Sequence, residues 1–261
     1  MYDRLGKRVE KDIACCAGLM GILPLVAMCI SVLLVASAAG QTNPNWDACR
    51  GSDNNARIAA CTRIIAQGGK MSPADRAAAY KERGVGHFRR GDYEVAVRDY
   101  TEAIRLVPRE ATFYSNRCEA FNAKGAYDPA IADCDEAIRL HPKDAISRHF
   151  RGVAYANKGD LDGAIRDYDE AIRLDPKYAV VYYYRAYVYF KRSEFDRAIW
   201  DYDEAIRINP KYAEAYIYRG ITYSDKGDYD AAIRSFDEAI RLNPNFSPPY
   251  AGRAGAYAKK G

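Results

Sequence analysis

Residues 167–176 read Asp-Tyr-Asp-Glu-Ala-Ile-Arg-Leu-Asp-Pro, and the core of this stretch returns every 34 residues. Pro108, Pro142, Pro176, Pro210 and Pro244 each close a segment of the form Ala-Ile-Arg-(Leu/Ile)-x-Pro. A fixed period of this size means stacked supersecondary units, none of which can bury its apolar face alone. With Ala77 as position 1 of the first unit, Ala96, Ala130, Ala164, Ala198 and Ala232 fall at position 20. Ala103, Ala137, Ala171, Ala205 and Ala239 fall at position 27. Position 8 is small throughout (Gly84, Cys118, Gly152, Ala186, Gly220, Ala254), and position 24 is Tyr100, Cys134, Tyr168, Tyr202 and Phe236.

Each unit reads as two helices. Tyr80, Tyr114, Tyr182, Tyr216 and Tyr250 at position 4 and Phe121, Tyr155, Tyr189, Tyr223 and Tyr257 at position 11 flank the small position 8, on one helical face. Gly91, Gly125, Gly159 and Gly227 then break the chain, with Ser193-Glu194 as the odd member. The second half again puts its alanines and ring on one face before proline stops it. Arg148 replaces the position 4 aromatic in unit three, so looseness is expected there.

Tyr80-x-x-Arg83-Gly84-x-x-His87, followed by Ala96, Tyr100, Ala103 and Pro108, resembles the tetratricopeptide repeat family, and four further copies run through Pro244. The resemblance, to an exported bacterial-type member, implies an all-α fold. It would be an α-solenoid of five helix-turn-helix units (77–110, 111–144, 145–178, 179–212, 213–246) with a capping helix at 247–261. It also implies a concave surface lined by first helices at positions 2, 5, 6, 9 and 12. In unit three these are Ile146, His149, Phe150, Val153 and Ala156, and in unit four Val180, Tyr183, Tyr184, Tyr187 and Phe190. Unit five supplies Glu214, Ile217, Tyr218, Ile221 and Ser224. The family's clamp for a peptide carboxylate is matched by Lys81 and Asn116 alone, while Val85, Ile146 and Phe150 stand where it needs polar or basic groups. That specificity is rejected.

Two departures stand out. Position 7, usually leucine in the family, is Arg83, Arg117, Arg151, Arg185, Arg219 and Arg253. Position 23 is Asp99, Asp133, Asp167 and Asp201, then Ser235. On antiparallel helices these positions face each other, so a ladder of pairs that sets register is expected in preference to an anion site. Exposed pairs of this kind contribute only about 0–1 kcal/mol each. The Asp167-Tyr168-Asp169 and Asp201-Tyr202-Asp203 elements look like metal ligands but recur with the repeat, and are read as a solvated helix face.

Ile13 to Gly40 carries no charge and follows Arg4, Lys7, Arg8 and Lys11. Residues 1–40 are thus a signal peptide, with Ala36-Ser37-Ala38 as a cleavage pattern, or an uncleaved membrane anchor. Either sends the remainder outward, to the periplasm or to the outer side of the inner membrane. Residues 41–76 read as an N-terminal cap around a helix from Asn54 to Ala66. Four cysteines remain in the exported part. Cys49 and Cys61 tie a loop to the cap, while Cys118 and Cys134 replace the small residue and ring of positions 8 and 24, so these two pairs are the expected disulfides.

The 261 residues are 49% hydrophobic and 28% charged with a net charge of +4, which excludes a disordered tail and a basic face for nucleic acid. No catalytic motif occurs, and no metal or cofactor is expected. His87 occupies a core slot, His141 precedes a proline, and His149 has the one binding position among the three histidines. The expected function is a non-enzymatic scaffold of the cell envelope that holds a protein or peptide partner in the aromatic groove. Membrane contact would run only through the N-terminal segment. The alternatives are a peptidoglycan or glycan binder using tyrosine faces, and a self-associating structural protein.

Overall fold

The computed structural model describes residues 44–261, and among them the regular structure is entirely helical. Helices α1 (Pro44–Cys49) and α2 (Asn54–Ile65) lead, through a 3-10 turn at Gly68–Lys70, into five antiparallel pairs. These are α3 (Pro73–Arg89) with α4 (Tyr93–Leu106), α5 (Ala111–Ala123) with α6 (Tyr127–Leu140), and α7 (Ala145–Lys158) with α8 (Leu161–Leu174). Next come α9 (Ala179–Lys191) with α10 (Phe195–Ile208) and α11 (Ala213–Lys226) with α12 (Tyr229–Leu242). A single helix, α13 (Pro248–Lys260), packs on the last pair. First helices of neighbouring units touch one another, whereas second helices touch chiefly first helices. The array therefore curves with the first helices on its inner side.

The small-against-large rule at positions 8 and 24 is steric. A Cβ on Gly84, Gly152 or Gly220 would come within 2.6, 2.5 and 2.8 Å of the ring at position 24. Such approach lets the two helices of a unit close on a fully buried aromatic. In unit two both members are cysteines; their Cα atoms are 5.6 Å apart and their sulfurs at bonding distance, 2.08 Å. The Cys49 and Cys61 sulfurs likewise lie at bonding distance across the cap, 2.03 Å. The cap itself is held by Arg57, buried between α2 and α3, which donates to the Gly51 carbonyl and to Glu82.

Each turn places position 15 in the left-handed region, with φ of +84° at Gly91, +98° at Gly159 and +92° at Gly227. Ser193 holds the same place at φ +58°, where a side chain costs about 1–2 kcal/mol. The odd turn of unit four thus keeps the geometry of the others at a local cost.

Arg148 does not loosen unit three. From unit two onward the tyrosines at position 4 donate from their hydroxyls to the carbonyl of the preceding unit's proline, as Tyr114 does to Pro108 at 3.1 Å and Tyr250 to Pro244 at 2.9 Å. Arg148 donates from Nη2 to the Pro142 carbonyl at 2.8 Å. The acceptor needs a donor on a long arm, and the guanidinium supplies one, while its Nε stays buried without a partner.

The ladder exists but is not a surface feature. Arg83, Arg117, Arg151 and Arg185 each grip the aspartate of their own unit with two parallel donors, for example Arg151 to Asp167 at 2.8 and 2.6 Å. Asp99, Asp133, Asp167 and Asp201 are all buried. The third guanidinium nitrogen reaches back to position 25 of the preceding unit: Arg151 to Asp135, Arg185 to Asp169 and Arg219 to Asp203, each at 2.5 Å. This corrects the reading of the Asp-x-Asp elements as solvated. Their first aspartate is buried on one arginine, and their second holds the arginine of the next unit. A further strap joins position 14 to position 18 of the preceding unit, as in Lys158–Asp128 at 2.5 Å, Lys260–Asp230 at 2.6 Å and the close Lys226–Asp196 pair.

The apolar run Ile13–Gly40 lies outside the described residues. Among those residues, no helix is long and apolar enough to cross a membrane.

Candidate functional site

The inner helices α7, α9 and α11 bring a dense set of rings together. Tyr183 is enclosed by Tyr212, Tyr184, Tyr218 and Tyr202, with centroids 5.2, 5.3, 5.7 and 5.9 Å away. Burial pushes its hydroxyl above the usual phenol range. Tyr183 is therefore a structural ring within the groove wall. Tyr187 is more open: it meets Tyr218 edge-on at 5.6 Å, stacks on Phe190 at 6.5 Å, and has the Lys191 ammonium 5.6 Å above its face.

Beside Tyr187 lies a cleft of about 420 Å³ between units three and four. Val153, Ala156, Leu161, Tyr184 and Val188 line it, Lys191 borders it, and the Tyr168 hydroxyl is buried there without a hydrogen-bond partner. A second, smaller niche of about 270 Å³ adjoins it across Tyr184, on the side of unit two.

His149 sits in the wall of that niche rather than on the open surface. It is 5% exposed, with Nδ1 3.1 Å from the Tyr178 hydroxyl and the Tyr184 ring centroid 4.9 Å away. Burial alone holds its imidazole down to about 4, so the ring is neutral at physiological pH. Burial likewise pushes the Tyr178 hydroxyl up to about 12.

The expected lining divides when placed in the fold. Phe150, Val153, Val180, Tyr184 and Tyr187 face the two clefts. Ile146 stands out at 49% exposure, and Ile221 lines a shallow depression next to the last helix. Ile217 does not belong to the surface: it is buried in the cluster of Tyr216, Ile233 and Phe236. Phe88, Glu119 and Asn122, which also line the niche, are absent from that expected set. They occupy positions 9 and 12 of units one and two, so the periodic signal that marks groove residues extended to them.

The remaining candidate chemistry is already engaged. His87 is half-buried with Nδ1 3.4 Å from Asp92. Lys81 pairs with Glu82 at 2.6 Å. Among the described residues no group of three or more histidines, cysteines or acids could hold a metal ion.

A TPR repeat model matches residues 152–193 and 186–227, and tetratricopeptide repeat models match 81–145 and 213–246. This chain belongs to the tetratricopeptide repeat family. Over 57 residues it is 49% identical to the mitochondrial import receptor subunit TOM70 of Rattus norvegicus. That match spans 20% of this chain and 9% of the receptor. The crystal structure of MamA protein superposes with a TM-score of 0.54 at 26% identity, covering 64% of this chain and 92% of that one. A thermophilic TPR protein of Thermus thermophilus gives 0.61 at 20% identity over 70% and 99% of the two chains. Tetratricopeptide repeats are protein-interaction modules, and as a tetratricopeptide repeat protein this chain is an all-α interaction scaffold.

Proposed function

We propose that the protein works outside the cytoplasm as a non-enzymatic scaffold that holds an extended segment of a partner protein along the inner face of units two to four. The observation that carries this reading is the open cleft beside Tyr187, walled by rings and aliphatic side chains and bordered by Lys191. Its volume falls within the range of ligand pockets, about 300–1,000 Å³, and tyrosine suits a binding wall because ring and hydroxyl serve together. The absence of catalysis is supported by the state of the candidate groups: His149 is neutral and enclosed, and the recurring aspartates are neutralised by arginines.

Tyr187 is the residue to test, because Tyr183 is locked among four rings. Tyr187→Ala should reduce crosslinked capture of the partner from the envelope fraction about tenfold, as expected for loss of an aromatic anchor. Tyr187→Phe should retain most of it, and the helical dichroism of both should match wild type. Undiminished capture by Tyr187→Ala would reject the groove, and binding to purified peptidoglycan without protein would replace the partner by a glycan.

Export is read from residues 1–40 and from the two cysteine pairs, since disulfides persist in oxidising compartments. Protein isolated from the exported fraction should be lighter than its reduced form by a pair of hydrogens for each bond in intact-mass measurement. A peptide map should link Cys49 to Cys61 and Cys118 to Cys134. Free, alkylatable thiols at all four positions would refute the compartment.

A further inference from the structure

The niche next to the groove has an unusual inventory: polar groups able to accept a hydrogen bond, with nothing to accept from. Asn122 donates from Nδ2 to the Phe150 carbonyl at 2.8 Å, which fixes the amide and leaves Oδ1 as the free end. That oxygen is buried without a partner. His149 is engaged at Nδ1 by Tyr178, and its Nε2 is likewise buried and unpartnered. Glu119 lines the same niche and has no hydrogen bond or ion pair among the described residues. Burial lifts its carboxyl above the usual range, and Arg89, exposed on α3, opposes that only through its distant charge. Elsewhere the chain pairs its buried acids with arginines. Buried polar groups are as a rule satisfied, so several open acceptors in one place call for a donor that arrives from outside.

We propose that this niche binds a cationic side chain, the ammonium of lysine or the guanidinium of arginine, carried by the partner segment that lies in the groove. The proposal rests on the groove reading and adds the charge of one anchor residue. Three observations select a cation over a neutral donor. Glu119 offers a carboxylate that no cation among the described residues neutralises at contact distance. The neutral His149 presents an Nε2 lone pair in the tautomer whose Nδ1–H donates to the Tyr178 hydroxyl, and a bound cation selects that tautomer. Phe88, Phe150 and Tyr184 supply aromatic walls, and cations are attracted to ring faces within about 6 Å. The same preference operates inside the fold, where the Arg185 guanidinium lies 5.7 Å from the Tyr182 ring centre. The niche holds about 270 Å³, below the usual size of a pocket for a folded small molecule. Tyr184 borders both clefts, so a side chain entering the niche leaves its backbone beside Tyr187.

The test uses the full chain in detergent, labelled with carbon-13 at histidine and phenylalanine, and small probes in place of the partner. n-Butylammonium and n-butylguanidinium should shift the His149 and Phe150 resonances saturably, and n-butanol should bind at least about tenfold more weakly. Glu119→Gln, which keeps shape and removes charge, should weaken both cations by about tenfold or more, because a buried cation then loses its counter-charge. Equal response to butanol, no saturable response, or cation binding unchanged in Glu119→Gln would each overturn the proposal. None of these outcomes touches the capture experiment on Tyr187, which judges the groove separately.

Discussion

Replacing Arg185 by alanine should destabilise the fold by about 3–5 kcal/mol, the cost of stranding a buried charge. Asp201 is 0% exposed and accepts from Arg185 Nε at 2.8 Å and Nη2 at 2.7 Å, one donor to each carboxylate oxygen. Burial lifts the Asp201 carboxyl even with the arginine in place, and burial works against the charge of Arg185 too, which its two aspartates more than restore. The two-point fork is that of a charged pair. Loss of the guanidinium removes this fork, the bond to Asp169 in unit three, and the cation stacked beside Tyr182 and Tyr189. Arg219→Ala provides the internal control. Its partner across the unit is the neutral Ser235, whose hydroxyl already donates to the Ala231 carbonyl at 2.9 Å. That substitution strands no buried charge, since its other partner Asp203 is exposed, and should cost about 1 kcal/mol. Equilibrium unfolding in urea at pH 7 measures both. Equal losses would mean that the ladder contributes no more than surface pairs do.

Stability should also fall by about 3 kcal/mol as the pH drops from about 6.5 to about 4, and His149 should account for it. The imidazole is held down to about 4 in the fold by burial, against 6.5 in the open chain. Between these values the unfolded chain binds the proton and the folded one does not, so acid favours unfolding. The contribution is complete above about pH 6.5 and gone below about pH 4. Glu119 in the same niche, with its carboxyl lifted by burial, acts with the opposite sign. The informative quantity is therefore the difference between wild type and His149→Phe, which removes the imidazole and keeps a ring against Tyr184. Urea unfolding at several pH values should show that difference narrowing towards acid. Parallel curves would place the imidazole in water.

What the sequence revealed depended on whether the partner lay within one unit. The small residue at position 8 against the ring at position 24, and the arginine at 7 against the aspartate at 23, follow from folding one hairpin and could be read directly. Contacts between units could not, because they depend on the rotation from one pair to the next. The backward reach of Arg151 to Asp135 is of that kind, and it turns an apparently solvated motif into a bridge. So is the packing of His149 against Tyr184, a residue of the next first helix, although Tyr178 on its other side ends its own unit. Arg148 misleads for another reason: hydropathy ranks it against tyrosine as an opposite, yet the Pro142 carbonyl asks only for a donor. The groove was legible as a periodic stripe, but the stripe does not say which members stay open: Ile217 turns into the core of its own unit, against Tyr216, Ile233 and Phe236.

From unit two onward the backward reach of the position 7 arginine gives the junctions a matching plug and socket. Units three, four and five each offer an aspartate forward at position 25 and an arginine backward at position 7. The boundary between units one and two differs, since Arg117 finds Thr101 there at 2.9 Å. A segment copied or excised in steps of one whole unit downstream of Asp135 would rejoin with its charges complementary. Lengthening or shortening of the array by recombination is thereby tolerated electrostatically at one end of the molecule, while the cap and the first two units form the end that must stay as it is.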